Sequence, residues 1–159
     1  TYLEVILEHY IYWIMNSQHV LINHQPNKYQ EERVNMKFYI NKTTKEIIEV
    51  VLGNDTTFTS EGGEMVELKA NSTDAAGEKH VPVITVNGNK VHVVVGSVIH
   101  PMTEEHSIQF IALETKQGVQ RKALLSTDQP VADFVLAEGD EVIAAYEYCN
   151  LHGLWKVEA

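Results

Sequence analysis

From residue 36 onward the apolar positions alternate with polar ones at period two, the pattern of half-buried strands rather than of amphipathic helices. "VPVITV" (81–86) and "KVHVVVG" (90–96) are Val/Ile-rich runs joined through "NGN", where Asn87-Gly88 supplies the positive-φ pair of a tight hairpin. "SIQFIALETK" (107–116) and "VQRKALL" (119–125) flank Gly118 as a second hairpin. "VADFVLAEGD" and "EVIAAYEYC" follow at similar spacing. In the last run Val142, Ala144, Tyr146 and Tyr148 share one face, and Ile143, Ala145 and Cys149 share the other. Short strands separated by turn signals predict an antiparallel sandwich over residues 73–159. Neither heptads, a Gly-rich phosphate loop nor a long repeat interrupts the pattern.

Residues 36–72 form a smaller unit. "EIIEVV" (46–51) predicts a strand, "GNDTTFTSEGGE" (53–64) a polar loop, and "NSTDAAGEKH" (71–80) an irregular lead into the sandwich. Residues 1–35 differ in character. They begin without methionine and crowd aromatics into positions 10–13, but their apolar runs are too short for a membrane span of roughly 20 residues. They also lack the basic start and cleavage site of a signal peptide. The expectation is a non-native or disordered extension upstream of Met36; an amphipathic helix built on Leu3, Ile6, Leu7 and Tyr10 is the alternative.

Composition narrows the function classes. The 159 residues (18.0 kDa) are 44% hydrophobic and 21% charged, which suits a globular protein with a buried core. A net charge of −10 argues against nucleic acid as a partner, because phosphate binding needs clustered Lys and Arg. The same charge makes a lysine at an active-site mouth significant for an anionic substrate. One cysteine fits a reducing, cytoplasmic setting and rules out an intramolecular disulfide. Asn41, Asn54 and Asn71 each begin an Asn-x-Ser/Thr triplet, read as chance matches.

The candidate chemistry lies in the histidines and that cysteine. His9, His19 and His24 fall in the first 35 residues, and His92 sits inside a strand, where a hydrogen-bonded surface imidazole is the simple explanation. His80, His100, His106 and His152 instead occupy strand ends and loops, in "EKHVP", "IHPMTEEHSI" and "CNLHG". Loops on a rigid sandwich are where convergent ligands are held. Cys149 and His152 share one turn, so a thiolate and an imidazole can bind the same ion, with backbone N–H groups nearby to tune the sulfur. Five candidates are one too many for closed tetrahedral zinc. Four nitrogens in a plane with an axial sulfur would make a square pyramid with an open sixth position, which describes an iron site for a small ligand.

Three blocks carry a resemblance to a known family. "GEKHVPV", "GSVIHPMTEEHSI" and "EYCNLHGLW" resemble, in order, the signature blocks of the superoxide reductases, the desulfoferrodoxin and neelaredoxin group. The resemblance runs over roughly residues 73–159 and implies an all-β fold, an immunoglobulin-like antiparallel β-sandwich with a small N-terminal β appendage. It implies a mononuclear iron bound by His80, His100, His106 and His152, with Cys149 on the axis. The implied reaction joins superoxide, one electron and two protons to give hydrogen peroxide. By the same resemblance Lys79 attracts the anion and helps to protonate the product, and Glu78 is the carboxylate that fills the sixth position in the ferric state. Rubredoxin or a similar small carrier is the implied electron donor, and a homodimer without membrane or nucleic-acid partners the implied assembly.

The chain departs from the two-iron members of that group. Where they carry a rubredoxin-like module with CxxC and a later Cys-Cys pair, this chain has "NKTT" (41–44) and Ser60-Glu61. A small N-terminal domain without metal ligands, and no second iron centre, is the expectation for 36–72. Three rival functions stand beside the reductase: a non-enzymatic iron or zinc module, dismutation of superoxide, and a Cys149 nucleophile with His152 as base.

Overall fold

A computed structural model describes residues 36–51 and 57–159. The extension over 1–35 with its three histidines, and Asn54, lie outside the described residues. The alternating runs form the expected hairpins. Strands β6 (Pro82–Asn87), β7 (Lys90–Val95) and β10 (Val131–Val135) make one antiparallel sheet in the order β10-β7-β6. Strands β8 (Ile108–Thr115), β9 (Val119–Ala123), β11 (Val142–Cys149) and β12 (Gly153–Glu158) make a second, in the order β12-β11-β8-β9. Their inner faces meet through Val91, Val93, Val95, Ile111, Leu113, Ala132, Phe134 and Ala145. This is an antiparallel β-sandwich, its core set by period-two alternation on both sheets.

The unit Met36–Ala159 holds a third layer. Strands β1 (Lys37–Ile40), β2 (Ile47–Val50) and β5 (Val66–Glu67) pair in the order β2-β1-β5. Met36, Phe38 and Ile40 pack on Ala112, Tyr146, Tyr148 and Leu154, the outer face of the second sheet. Phe38 lies 5.4 Å from the ring of Phe110, and burying one such side chain contributes about 1.5–3 kcal/mol. Arg121 stacks over Phe38 and Phe110 and pairs with Glu49 of β2, tying the two layers. Strand β11 is therefore buried on both faces, which is why its sequence is almost continuously apolar.

Four local readings need correction. Asn87 ends β6 rather than entering the turn; Gly88 (φ +60°) and Asn89 form the loop, and only Gly88 has positive φ, the pattern of a II′ turn. On β11 a register shift between Val142 and Ala144 swaps the two positions before it, so Val142 joins the sandwich core and Ile143 the outer cluster. The loop 53–64 contains a small hairpin, β3 (Thr59–Ser60) with β4 (Gly63–Glu64). The lead 71–80 ends in one helical turn, α1 (Gly77–His80).

In the N-terminal layer Asn41 is buried; its Nδ2 donates to Ser60 Oγ at 2.6 Å and its Oδ1 accepts from the N–H groups of Thr43 and Thr44. Hydrogen bonds thus close the corner that "NKTT" and Ser60 share. Among the described residues no helix is long and apolar enough to cross a membrane.

Candidate metal centre

The loop after β7 wraps α1. Val98 N–H donates to Glu78 O at 2.9 Å, and Gly96 N–H to Val81 O at 3.2 Å. Gly96 has φ +82°, and a Cβ there would lie 2.4 Å from Val98 O and 2.7 Å from Lys79 O, so only glycine allows this approach. The wrap brings His100, at the end of the loop, against His80, at the end of α1: their ring centroids are 4.8 Å apart. From the opposite sheet, Cys149 and Gly153 pair across a three-residue hairpin whose last loop residue is His152. Gly153 takes φ +77°, the left-handed position such a loop requires.

Four imidazoles close a ring. Centroid separations are 4.8 Å (His80–His100), 4.5 Å (His100–His106), 4.9 Å (His106–His152) and 4.7 Å (His80–His152), with neighbouring planes inclined by 73–84°. A square of side 4.7 Å has a diagonal √2 times as long, about 6.6 Å, and His80–His106 is 6.4 Å. The arrangement is near-square. Cys149 Sγ is 3.6 Å from Nδ1 of His152, which is 2.9 Å from Nε2 of His80. One donor atom from each of the five residues lies within 4.8 Å of all the others.

The donors suit a cation. Nδ1 of His80 donates to Ala76 O at 2.8 Å and Nδ1 of His100 to Pro101 O at 2.6 Å. Because a carbonyl can only accept, both Nδ1 atoms carry the proton and both Nε2 atoms present a lone pair inward. Among the described residues Nε2 of His100 and of His106 are buried without a hydrogen-bond partner, a cost that a metal ion removes. Burial, then the neighbouring imidazoles, push His100 down to about 4, the Pro101 carbonyl only partly opposing this. Burial also lowers His106, aided by His152, His80 and then Lys79, and it lowers His152, aided by His80. The lowered groups, His100, His106 and His152, favour the neutral form whose lone pair can bind a metal. Burial pushes the Cys149 thiol up, and the backbone N–H groups of Leu151 and His152 counter this by bonding the sulfur.

The remaining candidates fall as follows. Glu78 and Lys79 are exposed on α1 beside His80. The effect of Lys79 on His106 sets its ammonium within electrostatic reach of the site, whereas the donor cluster does not include Glu78. His92 is apart from the cluster, on the outer face of β7, with Nδ1 2.6 Å from Asp133 Oδ1.

Two residues escaped the sequence reading. Trp155 is buried, stacks on His80 (4.9 Å, 21°) and donates from Nε1 to His152 O at 3.2 Å. Its signal was the left-handed Gly153, which returns the chain so that Trp155 lies opposite Glu147. Glu147 is fully buried with both carboxyl oxygens unpartnered among the described residues, and burial pushes it up to about 9. A carboxyl raised in the folded state contributes stability below its unfolded value near 4.5 and loses it as pH rises towards 9. In metal-free protein, Glu147→Gln should therefore gain on the wild type as pH rises, by up to about 1.4 kcal/mol per unit between those limits. Urea unfolding at pH 5.5, 7 and 8.5 reads this; a difference that does not change with pH contradicts it.

The family model described as desulfoferrodoxin matches residues 72–158. A desulfoferrodoxin of Clostridium acetobutylicum is 42% identical over 123 residues, covering 77% of this chain and 96% of the relative. A superoxide reductase of Pyrococcus abyssi is 38% identical, covering 59% of this chain and 96% of its own. The crystal structure of the superoxide reductase from Treponema pallidum superposes with a TM-score of 0.68 at 35% identity, covering 78% of this chain and 99% of that one. Matched over most of its described length, the chain belongs to the desulfoferrodoxin and superoxide reductase family.

Proposed function

We propose that the protein reduces superoxide to hydrogen peroxide at one iron ion held by His80, His100, His106, His152 and Cys149. The family binds iron, and relatives named superoxide reductases lend the substrate. The observation that carries the reading is the convergence of five donor atoms within 4.8 Å, two of them otherwise orphaned, beside a lysine. Iron, if bound there, would supply the single electron of the reaction, and an external one-electron carrier would have to restore it.

The residues divide the remaining work. Four neutral imidazoles and one thiolate supply a net charge of −1, which leaves a divalent ion cationic and attractive to an anion. The thiolate is the one strongly electron-releasing donor, and two N–H groups temper it. Lys79 draws superoxide towards a protein of net charge −10 and stands ready to pass a proton to the leaving peroxide. Glu78, on the same turn, is the anionic group that answers the extra charge of the oxidised ion. A small carrier such as rubredoxin as donor, a homodimer, a cytoplasmic setting, and a 36–72 layer without metal ligands complete the proposal.

Lys79→Met should lower the second-order rate constant for superoxide by about tenfold and flatten its fall with ionic strength. Pulse radiolysis of the ferrous-loaded variant between 10 and 500 mM salt, roughly the range over which screening develops, checks both effects. An unchanged rate and salt slope would remove Lys79 from the mechanism.

A further inference from the structure

The histidines of the centre are not equally anchored. Backbone carbonyls hold the rings of His80 and His100, and Trp155 bonds the main chain of His152. Among the described residues no backbone carbonyl holds the ring of His106, and its Nε2 is buried without a hydrogen-bond partner. Its position depends on its loop. That loop closes mainly on itself: Thr103 N–H donates to His106 O at 2.9 Å, and His106 N–H donates to Thr103 Oγ1 at 3.1 Å.

Asn150 supplies the tie to the rest of the site. Its Oδ1 accepts from Ser107 N–H at 3.0 Å, and its Nδ2 donates to Glu105 O at 2.9 Å. Its own N–H donates to Ser107 O at 3.2 Å. The two side-chain bonds grip the residues immediately before and after His106, while Asn150 itself follows Cys149 directly. The amide cannot be turned over, because Ser107 N–H needs an acceptor and Glu105 O needs a donor. Its carbonyl oxygen is therefore the atom that approaches Cys149 Sγ, at 4.0 Å, and the amide N–H groups bond Glu105 rather than the sulfur.

We propose that Asn150 is a positioning residue that fixes His106 relative to the Cys149–His152 turn, so that all five donors meet at one ion. The inference rests on His106 being a ligand. Its effect on the ion passes through His106, and partners of this kind typically change metal affinity about 10–100-fold.

The test is a double-mutant cycle on full-length protein loaded with cobalt(II) chloride. Its readouts are the ligand-field and thiolate-to-cobalt bands and the rate of cobalt release to excess EDTA. Asn150→Ala should speed release about tenfold or more and shift the bands towards those of His106→Ala, yet change release less than about twofold in the His106→Ala background. Asn150→Asp, which keeps the acceptor for Ser107 and loses the donor to Glu105, should fall between and carries the same cycle if the alanine variant does not fold. Equal acceleration in both backgrounds would mean general loosening and overturns the proposal, as would unchanged bands and release. If His106→Ala itself changes neither readout, the ligand reading fails and this inference with it; a changed His106→Ala beside an unchanged Asn150→Ala overturns this inference alone.

Discussion

Cys149→Ser keeps the sandwich and loses superoxide reduction by at least about 100-fold, equivalent to roughly 2.7 kcal/mol at the barrier. Cys149 is the only cysteine of the chain, so no neighbouring thiol can substitute. A serine hydroxyl stays protonated at neutral pH and is a hard, weakly releasing donor, whereas a thiolate is soft and anionic. The backbone N–H groups of Leu151 and His152 are already aimed at the sulfur position. Placing a hydroxyl in this buried spot should cost the metal-free fold about 1–3 kcal/mol, which leaves it folded for the comparison. The check is the second-order rate constant of the ferrous-loaded variant, with circular dichroism as the control. A folded variant with more than a third of the wild-type rate would mean that sulfur is not a ligand in the working site.

Metal loading should raise the unfolding midpoint by about 10 °C. A site present only in the folded chain adds RT ln(1 + [M]/Kd), about 4 kcal/mol at a thousandfold excess over Kd, and a chain of this size shifts about 2–4 °C per kcal/mol. The metal-free fold carries the opposite cost. His100 is held down to about 4, so its contribution is complete above the unfolded value of 6.5 and is lost as pH falls towards 4. Metal-free protein should accordingly lose stability over that window, and the gain from bound metal should itself shrink as pH falls, because protons compete for the imidazoles the ion needs neutral. Calorimetry with and without one equivalent of ferrous iron at pH 7 and pH 5.5 measures both. His100→Ala should remove most of the gain; equal midpoints with and without metal would mean that the ion does not bind where the five donors meet.

The strands were legible because their apolar residues alternate, and the donors because chemistry-bearing residues stood at strand ends rather than within strands. His92, set aside by the same rule, lies in β7 against Asp133 and outside the donor cluster. The turn at Gly88, the β3–β4 hairpin and the helical turn of α1 are local details finer than the apolar pattern, whereas the other misreadings depend on contacts between distant segments. The swap of Val142 and Ile143 comes from a register shift against β8, which no local pattern encodes. Glu147 reads as an ordinary polar position on a strand, and only the layer above β11 and the sandwich below it reveal a carboxyl without partners. Trp155 reads as core, and its stacking on His80 depends on how the β11–β12 hairpin returns. The near-square set of imidazoles depends on Gly96 admitting the backbone of α1, a closeness visible only in three dimensions.

The central claim is tested most directly by counting product. Protein loaded anaerobically with ferrous iron is given superoxide and a reductant that itself reacts slowly with superoxide, and peroxide formed is compared with superoxide consumed, above a protein-free blank. The account predicts about one peroxide per superoxide. About one half would show dismutation, and no acceleration over the blank would contradict an enzyme and leave a structural or electron-carrying metal site.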